Sequence, residues 1–404
     1  MESAEAQPFR YTPQFWLMFA GLVISSTGTT MIWPFIMIYA SSRLSLPMAA
    51  VASLMTLNSL AGLTSALLAG SLLDRFGRKS IMAVGLFGAA LVYLGYMPAA
   101  EYWQFAILMI GSGFFQPLYH VGSDAILADM VPAEHRTNAY SIFRMGRNIG
   151  VALGPILGGI ALATSYSIGI LAAAAALSIF GFITVIFLHE TLQRNPETPH
   201  ENLREQLAVY RQALRHPLFS RLILGFTLTQ ICVSLIWVML GVYMKDYFGI
   251  SESSYSWLPT TNALMVVFLQ MLVTRQTRKY AETQVLPAGA LIFALSMLIV
   301  AFSRGFWGFW AAMVVMTVGE LITAPTSTTF VANLAPPNQR GRYLGLFRLS
   351  FEAGLAVGPL GAGLLNDAVG RQAPWLAAAV IGGLAVLVFV GLDRSRRAQE
   401  AEQV

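Results

Sequence analysis

Charge is what this sequence has least of. Only 11% of its 404 residues are Asp, Glu, Lys or Arg, against roughly 25% in an ordinary soluble domain. So little charge cannot cover the surface of a water-soluble globule of this length, which excludes a soluble enzyme. Cysteine is scarcer still, and the single Cys232 excludes an internal disulfide and a multi-cysteine metal centre. Five scattered histidines give neither a metal cluster nor a hydrolase triad. Glycine-punctuated stretches such as Gly146-Arg-Asn-Ile-Gly150 fall inside apolar helical runs, where they cannot cradle a phosphate. No cofactor, no metal and no ATP-driven step is therefore expected. The apolar stretches also lack the alternation of an outer-membrane barrel.

Long apolar runs are what the chain does have: 56% of it is apolar and its mean hydropathy is +0.62. A spanning helix needs about 20 mostly apolar residues. Windows of that size give twelve segments: 14–40, 49–73, 80–98, 102–130, 137–163, 166–189, 219–245, 256–274, 283–302, 305–333, 341–366 and 373–392. Many contain Gly and Pro, as membrane helices do. The first is too long for a signal peptide and is preceded by one basic residue, Arg10, so it reads as a retained span. The expected class is an all-α membrane protein with twelve transmembrane helices.

A pI near 9.4 invites a nucleic-acid reading, but the placement of the basic residues removes it. With both termini cytoplasmic, only Arg43, Lys245, Arg304 and Arg371 fall outside, and Arg144, Arg147 and Arg348 lie within spans. The remaining 18 of the 25 Lys and Arg are then cytoplasmic. That asymmetry is the positive-inside pattern, and the expected location is a cytoplasmic (inner) membrane. No nucleic-acid partner is expected.

The chain repeats with a shift of 204 residues. Ala128-Asp-Met-Val-Pro132 lies over Ala332-Asn-Leu-Ala-Pro336, Arg144 over Arg348, Gly150 over Gly354, Gly154-Pro155 over Gly358-Pro359, and Gly159 over Gly363. An even number of spans per half gives a parallel repeat with a pseudo-two-fold axis along the membrane normal. The expected division is a six-helix bundle over 1–190, a cytoplasmic linker over 191–218 and a second bundle over 219–404. Leu203, Leu207, Tyr210 and Leu214 stand at helical spacing in the linker, which predicts an amphipathic helix on the membrane face.

Two motifs now carry a family resemblance. Gly70-Ser-Leu-Leu-Asp74-Arg75-Phe-Gly77-Arg78-Lys79, between the second and third spans, is similar to the signature loop of the major facilitator superfamily. Gly150-Val-Ala-Leu-Gly154-Pro155-Ile-Leu-Gly158-Gly159, in the fifth span, resembles that superfamily's antiporter motif. The resemblance covers the whole chain in span count and repeat. It implies a small-molecule transporter, most like the drug–proton antiporter branch, monomeric in the lipid bilayer and exchanging an amphipathic or cationic compound for protons. It also implies that Gly70, Asp74, Arg75, Gly77, Arg78 and Asp129 form a latch that holds the outward-open state. Gly77 permits the tight turn, and Asp74 stands where it can accept from a helix N-terminus or pair with Arg78. The counterpart loop, Thr274-Arg275-Gln-Thr-Arg278-Lys279, lacks the Asp. Gly146, Gly150, Gly154 and Gly158 make a smooth stripe for close helix packing, and the resemblance implies that this helix seals against the other half.

Charges at membrane depth are costly and mark function. Glu320, in Gly319-Glu-Leu-Ile-Thr-Ala-Pro325, has no ionisable neighbour nearby in sequence. Desolvation disfavours the charged form of a carboxyl, so Glu320 is the expected proton site, with Asp124 as a second. Some drug–proton exporters of the superfamily have a similar Gly-Glu followed by Pro in the tenth span. Asp124 is expected to pair with Arg144 or Arg147, and Glu352 stands four residues after Arg348, at ion-pair spacing. The usual Arg of the fourth span in proton antiporters is missing from Ile107-Leu-Met-Ile-Gly111, so coupling must run through other groups. On spans that line the cavity in this superfamily, Trp33, Tyr39, Phe115, Tyr119, Tyr140 and Trp237 are candidate apolar contacts. Asn58, Gln116, His120, Asn148, Gln230 and Asn262 are candidate polar ones. A metabolite, sugar or lipid transporter of the same fold is the alternative. A non-transporting sensor or membrane enzyme would need an output domain or clustered His or Asp, and neither is visible.

Overall fold

A computed structural model of the chain describes residues 10–132, 135–192, 211–335 and 340–402. It is helical throughout these residues. In chain order the helices are α1 (Pro13–Ile32), a 3-10 turn (Trp33–Phe35), α2 (Ile36–Leu44), α3 (Met48–Phe76), α4 (Arg78–Gly95), α5 (Tyr102–Met130), α6 (Arg136–Thr164) and α7 (Tyr166–Phe187). After the linker come α8 (Pro217–Val238), α9 (Leu240–Phe248), α10 (Glu252–Tyr255), α11 (Trp257–Thr277), α12 (Glu282–Phe302), α13 (Phe306–Leu334), α14 (Arg340–Ala368) and α15 (Ala373–Glu402). The breaks at Trp33–Phe35 and Met239 divide single spans, so α1 with α2, α8 with α9, and α10 with α11 each cross once.

Local chemistry sets the ends. Thr12 Oγ1 accepts from Phe15 N at 3.3 Å ahead of Pro13 in the first turn of α1, and Glu101 with Gln104 forms a capping box on α5. Ten spans are long and apolar enough to cross a bilayer on length and composition. The other two, α5 and α14, have 29 residues each. They are less apolar because one carries Gln116, His120 and Asp124 and the other Arg348 and Glu352. These two spans therefore hold half of the six charges singled out at membrane depth.

Packing sorts the helices into two groups. In the first, α1 packs on α6 and α7, α3 on α5, and α4 on α5 and α7; in the second, α8 packs on α14 and α15, α12 on α13 and α15, and α11 on α13. The 204-residue shift maps contacts of one group onto the other. Thr30 Oγ1 donates to the Gly150 carbonyl at 2.9 Å, and Ser234 Oγ donates to the Gly354 carbonyl at 3.2 Å. The left-handed turn residues Ser45 (φ 49°) and Gly249 (φ 64°) are related by the same shift. Of the predicted linker helix, Leu203, Leu207 and Tyr210 lie outside the described residues; residues 211–215 are helical, with Ala213 buried and Leu214 exposed.

Candidate functional site

The two groups meet along α3 with α14 and α6 with α11, and hydrogen bonds close the gap at one end. There Tyr166 donates to Glu252 Oε1 (2.7 Å), Lys245 Nζ donates to the same oxygen (2.5 Å) and to Ser42 Oγ (2.8 Å), and Ser41 donates to Asp246 (3.0 Å). Asp367, at the end of α14, accepts from the Met48 and Ala49 amides at 3.2 and 2.8 Å, capping α3 across the gap. Phe35 meets Tyr255 edge-on at 5.7 Å. Two turns deeper, Thr56 donates to the Ala356 carbonyl at 2.6 Å. These are the ends of the odd-numbered crossings, opposite the termini. Toward the termini, Tyr140, Arg144 and Arg348 are exposed.

Between these ends lies the carboxyl singled out from sequence. The packing of α11 on α13 sets Asn262 Nδ2 2.8 Å from Glu320 Oε2 and 3.0 Å from Thr317 Oγ1, one turn earlier. Among the described residues Glu320 has no cation within ion-pair distance. Its acceptor is held by a neutral amide, so the site suits either a proton or a visiting cation. The repeat places Gln116 at the position of Glu320 and Asn58 at that of Asn262. Gln116 bonds Ser112 Oγ at 3.1 Å, and Asn58 turns to the Met109 carbonyl at 3.0 Å. One half therefore carries an ionisable group where the other carries an amide.

A second charged group lies about two turns nearer the termini. Asp124 pairs with Arg147 at 3.6 Å, and Tyr140 donates to the Asp124 carbonyl at 3.1 Å. Arg144, the other predicted partner, is exposed and has no ion pair among the described residues, because it faces about 60° further round the helix. Arg348, from α14 of the second group, lies within electrostatic reach of both Asp124 and His120. Glu352 is also near Arg348 but does not close on it as an ion pair. Buried polar atoms without a partner include Arg147 Nε and His120 Nδ1.

The signature loop is rearranged from expectation. Arg78 pairs with Asp129 rather than with Asp74, and also donates to the Ala125 carbonyl at 3.2 Å. The helix N-terminus, however, is taken by Glu190, whose carboxylate accepts from the Arg78 and Lys79 amides at 3.0 and 3.2 Å. Thr191 donates to Asp129 at 2.6 Å. Asp74 is exposed and has no partner among the described residues, since Glu190 already fills the cap. Gly77, at φ 94°, makes the turn that glycine permits. Gly70 has open space beside it, and the Arg75 guanidinium stacks on Phe76 at 5.2 Å. Glu190 was missed because it follows α7, more than a hundred residues from the motif it caps.

The antiporter-motif helix meets α11 of the other group, but its glycine stripe faces α1. Gly150 and Gly154 abut Ser26, Thr27 and Thr30 of α1, and Gly158 abuts the Met31 carbonyl. The stripe thus packs inside its own group; only Gly159 reaches across, to Ser256. Helix α6 continues through Pro155.

Several predicted cavity contacts are packing residues. The Tyr39 hydroxyl donates to the Tyr96 carbonyl at 3.1 Å and its ring lies on Tyr166. Phe115 fills the space beside Gly88 of α4, Asn58 crosses α5 at Gly113, and Gln230 crosses α14 at Gly354. Tyr119 is buried at 2% exposure. These positions face neighbouring helices because glycines opposite them let the backbones approach. Trp33, Trp237, Asn148, His120 and Gln116 are half-buried, and Tyr140 is exposed.

Comparison with known proteins agrees with this architecture. The family model of the Major Facilitator Superfamily matches residues 18–236 and again 222–403, once per repeat. The chain is 26% identical to a Na(+), Li(+), K(+)/H(+) antiporter of Planococcus maritimus, covering 84% of this chain and 86% of that protein. It is 26% identical to the multidrug resistance protein MdtH of Klebsiella pneumoniae, covering 80% and 79%. A solved point mutant of the nucleoside transporter NupG superposes with a TM-score of 0.81 at 11% identity, covering 94% of this chain and 99% of that one. With a family match on both repeats and a shared twelve-span fold, the chain belongs to the Major Facilitator Superfamily and is a multi-pass membrane transporter rather than an enzyme.

Proposed function

We propose that this transporter is a proton-coupled exporter of amphipathic, cationic compounds, working by alternating access between residues 1–190 and 219–404 as a monomer in the cytoplasmic membrane. The observation that carries the reading is Glu320: a carboxyl at membrane depth, held by Asn262 and without a cation partner among the described residues. Transmembrane carboxyls in that situation exchange protons or bind cations. Two relatives named for multidrug resistance and for cation–proton antiport support the same chemistry. The skew of Lys and Arg supports cytoplasmic termini, which makes the hydrogen-bonded end external and the state inward-open. In that state the latch around Asp74 is disengaged, consistent with a role in the opposite, outward-open state.

In the cycle, a cationic substrate binds against ionised Glu320 from the cytoplasmic side. The halves rock, and a proton arriving from outside neutralises Glu320 and weakens the hold on the cation. Asp124, tied to Arg147, is the second site that senses this change of charge. The test is reconstitution in liposomes with an internal pH-sensitive dye, an imposed proton gradient and added ethidium. Proton flux that requires ethidium and disappears in Glu320→Gln, with the variant still folded, is the expected result. Unchanged exchange in that variant removes Glu320 from the mechanism. No flux with any cation moves the substrate class to neutral or anionic metabolites.

A further inference from the structure

We propose that the transported molecule carries an anionic group as well as its cationic one, and that the anionic group binds between Arg147 and Arg348. This rests on the transporter reading above and names its substrate more closely.

Near the open end Asp124 and Glu352 match Arg147 and Arg348 in number, but neither guanidinium is fully partnered among the described residues. Arg147 spends one face on Asp124 at 3.6 Å, long for a charge-assisted bond. Its Nε is buried without a partner, and a buried guanidinium N–H left unmade is costly. Arg348 is exposed and forms no ion pair among the described residues, although Glu352 stands one turn away. The two guanidinium groups come from opposite halves and present planar donor forks, the geometry that carboxylates and phosphates fit.

Placement adds a second reason. Glu320 is the repeat counterpart of Gln116, so Asp124 lies about 12 Å further along the helix axis than the level of Glu320. The two levels thus hold a carboxyl at Glu320 and two guanidinium groups at Arg147 and Arg348. A molecule with a cationic group at one end and a carboxylate at the other satisfies both, with an apolar body between them.

Position across the gap gives the anion a mechanical role. Two like charges on facing halves oppose closure of the end where they stand. An anion between them removes that opposition and joins the halves, so the loaded carrier closes more readily than the empty one.

The test uses the full-length purified protein and a matched pair of fluorescent dyes, rhodamine 110 with a free carboxylate and its methyl ester, rhodamine 123. Fluorescence anisotropy reads both affinities. The expected result is rhodamine 110 binding about tenfold more tightly than the ester. In Arg348→Gln the ratio of the two affinities falls to near one, and Arg348→Lys retains part of it. Equal affinities in the natural protein, a ratio unchanged in Arg348→Gln, or no binding of either dye overturns the proposal. Ethidium–proton exchange in liposomes is read in parallel. If it persists while the dyes show no carboxylate preference, the exporter reading stands and only the anionic pole is lost.

Discussion

Asp367 ties the two halves together through two backbone amides, and removing it should tilt the balance between transport states. Its carboxylate caps α3 from across the gap through the Met48 and Ala49 amides. A capping carboxylate replaced by Ala costs about 0.5–2 kcal/mol, and the interaction of its charge with the helix end adds about 0.3–1 kcal/mol. The bond exists only while this end is sealed, so the whole loss falls on the sealed state. Together these are about 0.8–3 kcal/mol, and at about 1.4 kcal/mol per tenfold Asp367→Ala should shift the sealed-to-open ratio by roughly four- to 140-fold toward opening. Spin labels at Leu46→Cys and Val369→Cys report the distance directly; both positions are exposed, at 39% and 72%. The only native thiol, Cys232, is buried and leaves the labelling clean. The expected result is a new population at longer distance in Asp367→Ala, with Asp367→Asn intermediate because its amide oxygen still accepts one bond. An unchanged distance distribution would refute the reasoning.

Other substitutions test the packing. Gly158→Ala places a methyl group against the Met31 carbonyl and should cost about 1–3 kcal/mol, whereas Gly361→Ala meets open space and should be neutral or stabilising; thermal unfolding in detergent separates them. Tyr39→Phe removes a buried hydrogen bond to Tyr96 and should cost about 1 kcal/mol of stability while leaving the KM for transport unchanged. A raised KM would return Tyr39 to the substrate cavity. Glu190→Ala frees the first amides of α4 and should destabilise by about 1 kcal/mol, whereas Asp74→Ala should leave the unfolding temperature of this state untouched.

The spans, the repeat and the isolation of Glu320 were legible because they depend on local features of the chain. Apolar runs register lipid, and a constant shift of 204 registers duplicated packing. Glu320 stood out because no charge lies near it in sequence, and among the described residues no cation stands within ion-pair distance of it. What could not be read was the facing of individual helix positions. Tyr39, Asn58 and Phe115 have the chemistry of ligand contacts, but Gly88 and Gly113 opposite draw two of them into helix crossings, and Tyr96 takes the hydroxyl of the third. The Gly146 to Gly158 stripe showed that a close neighbour exists, without saying that the neighbour is α1. Glu190, Asp367 and Lys245 act across long sequence separations, where neither periodicity nor motif carries a signal.

The repeat also shows how a duplicated scaffold became asymmetric. In the first half Arg78 pairs with Asp129 at the terminus-bearing end. The 204-residue shift carries these positions to Glu282 and Asn333, which meet at 3.2 Å, and Arg396 supplies the missing cation to Glu282 at 3.0 Å. The same junction is kept with its polarity reversed, and the second half needs no separate capping carboxylate after its last span. At membrane depth the substitution runs the other way, with a neutral Gln116 in the first half and an ionisable Glu320 in the second. A proton or cation bound at one of two equivalent positions acts on one half only. Uneven loading of an otherwise symmetric scaffold is the condition under which a change of charge can drive rocking in a single direction.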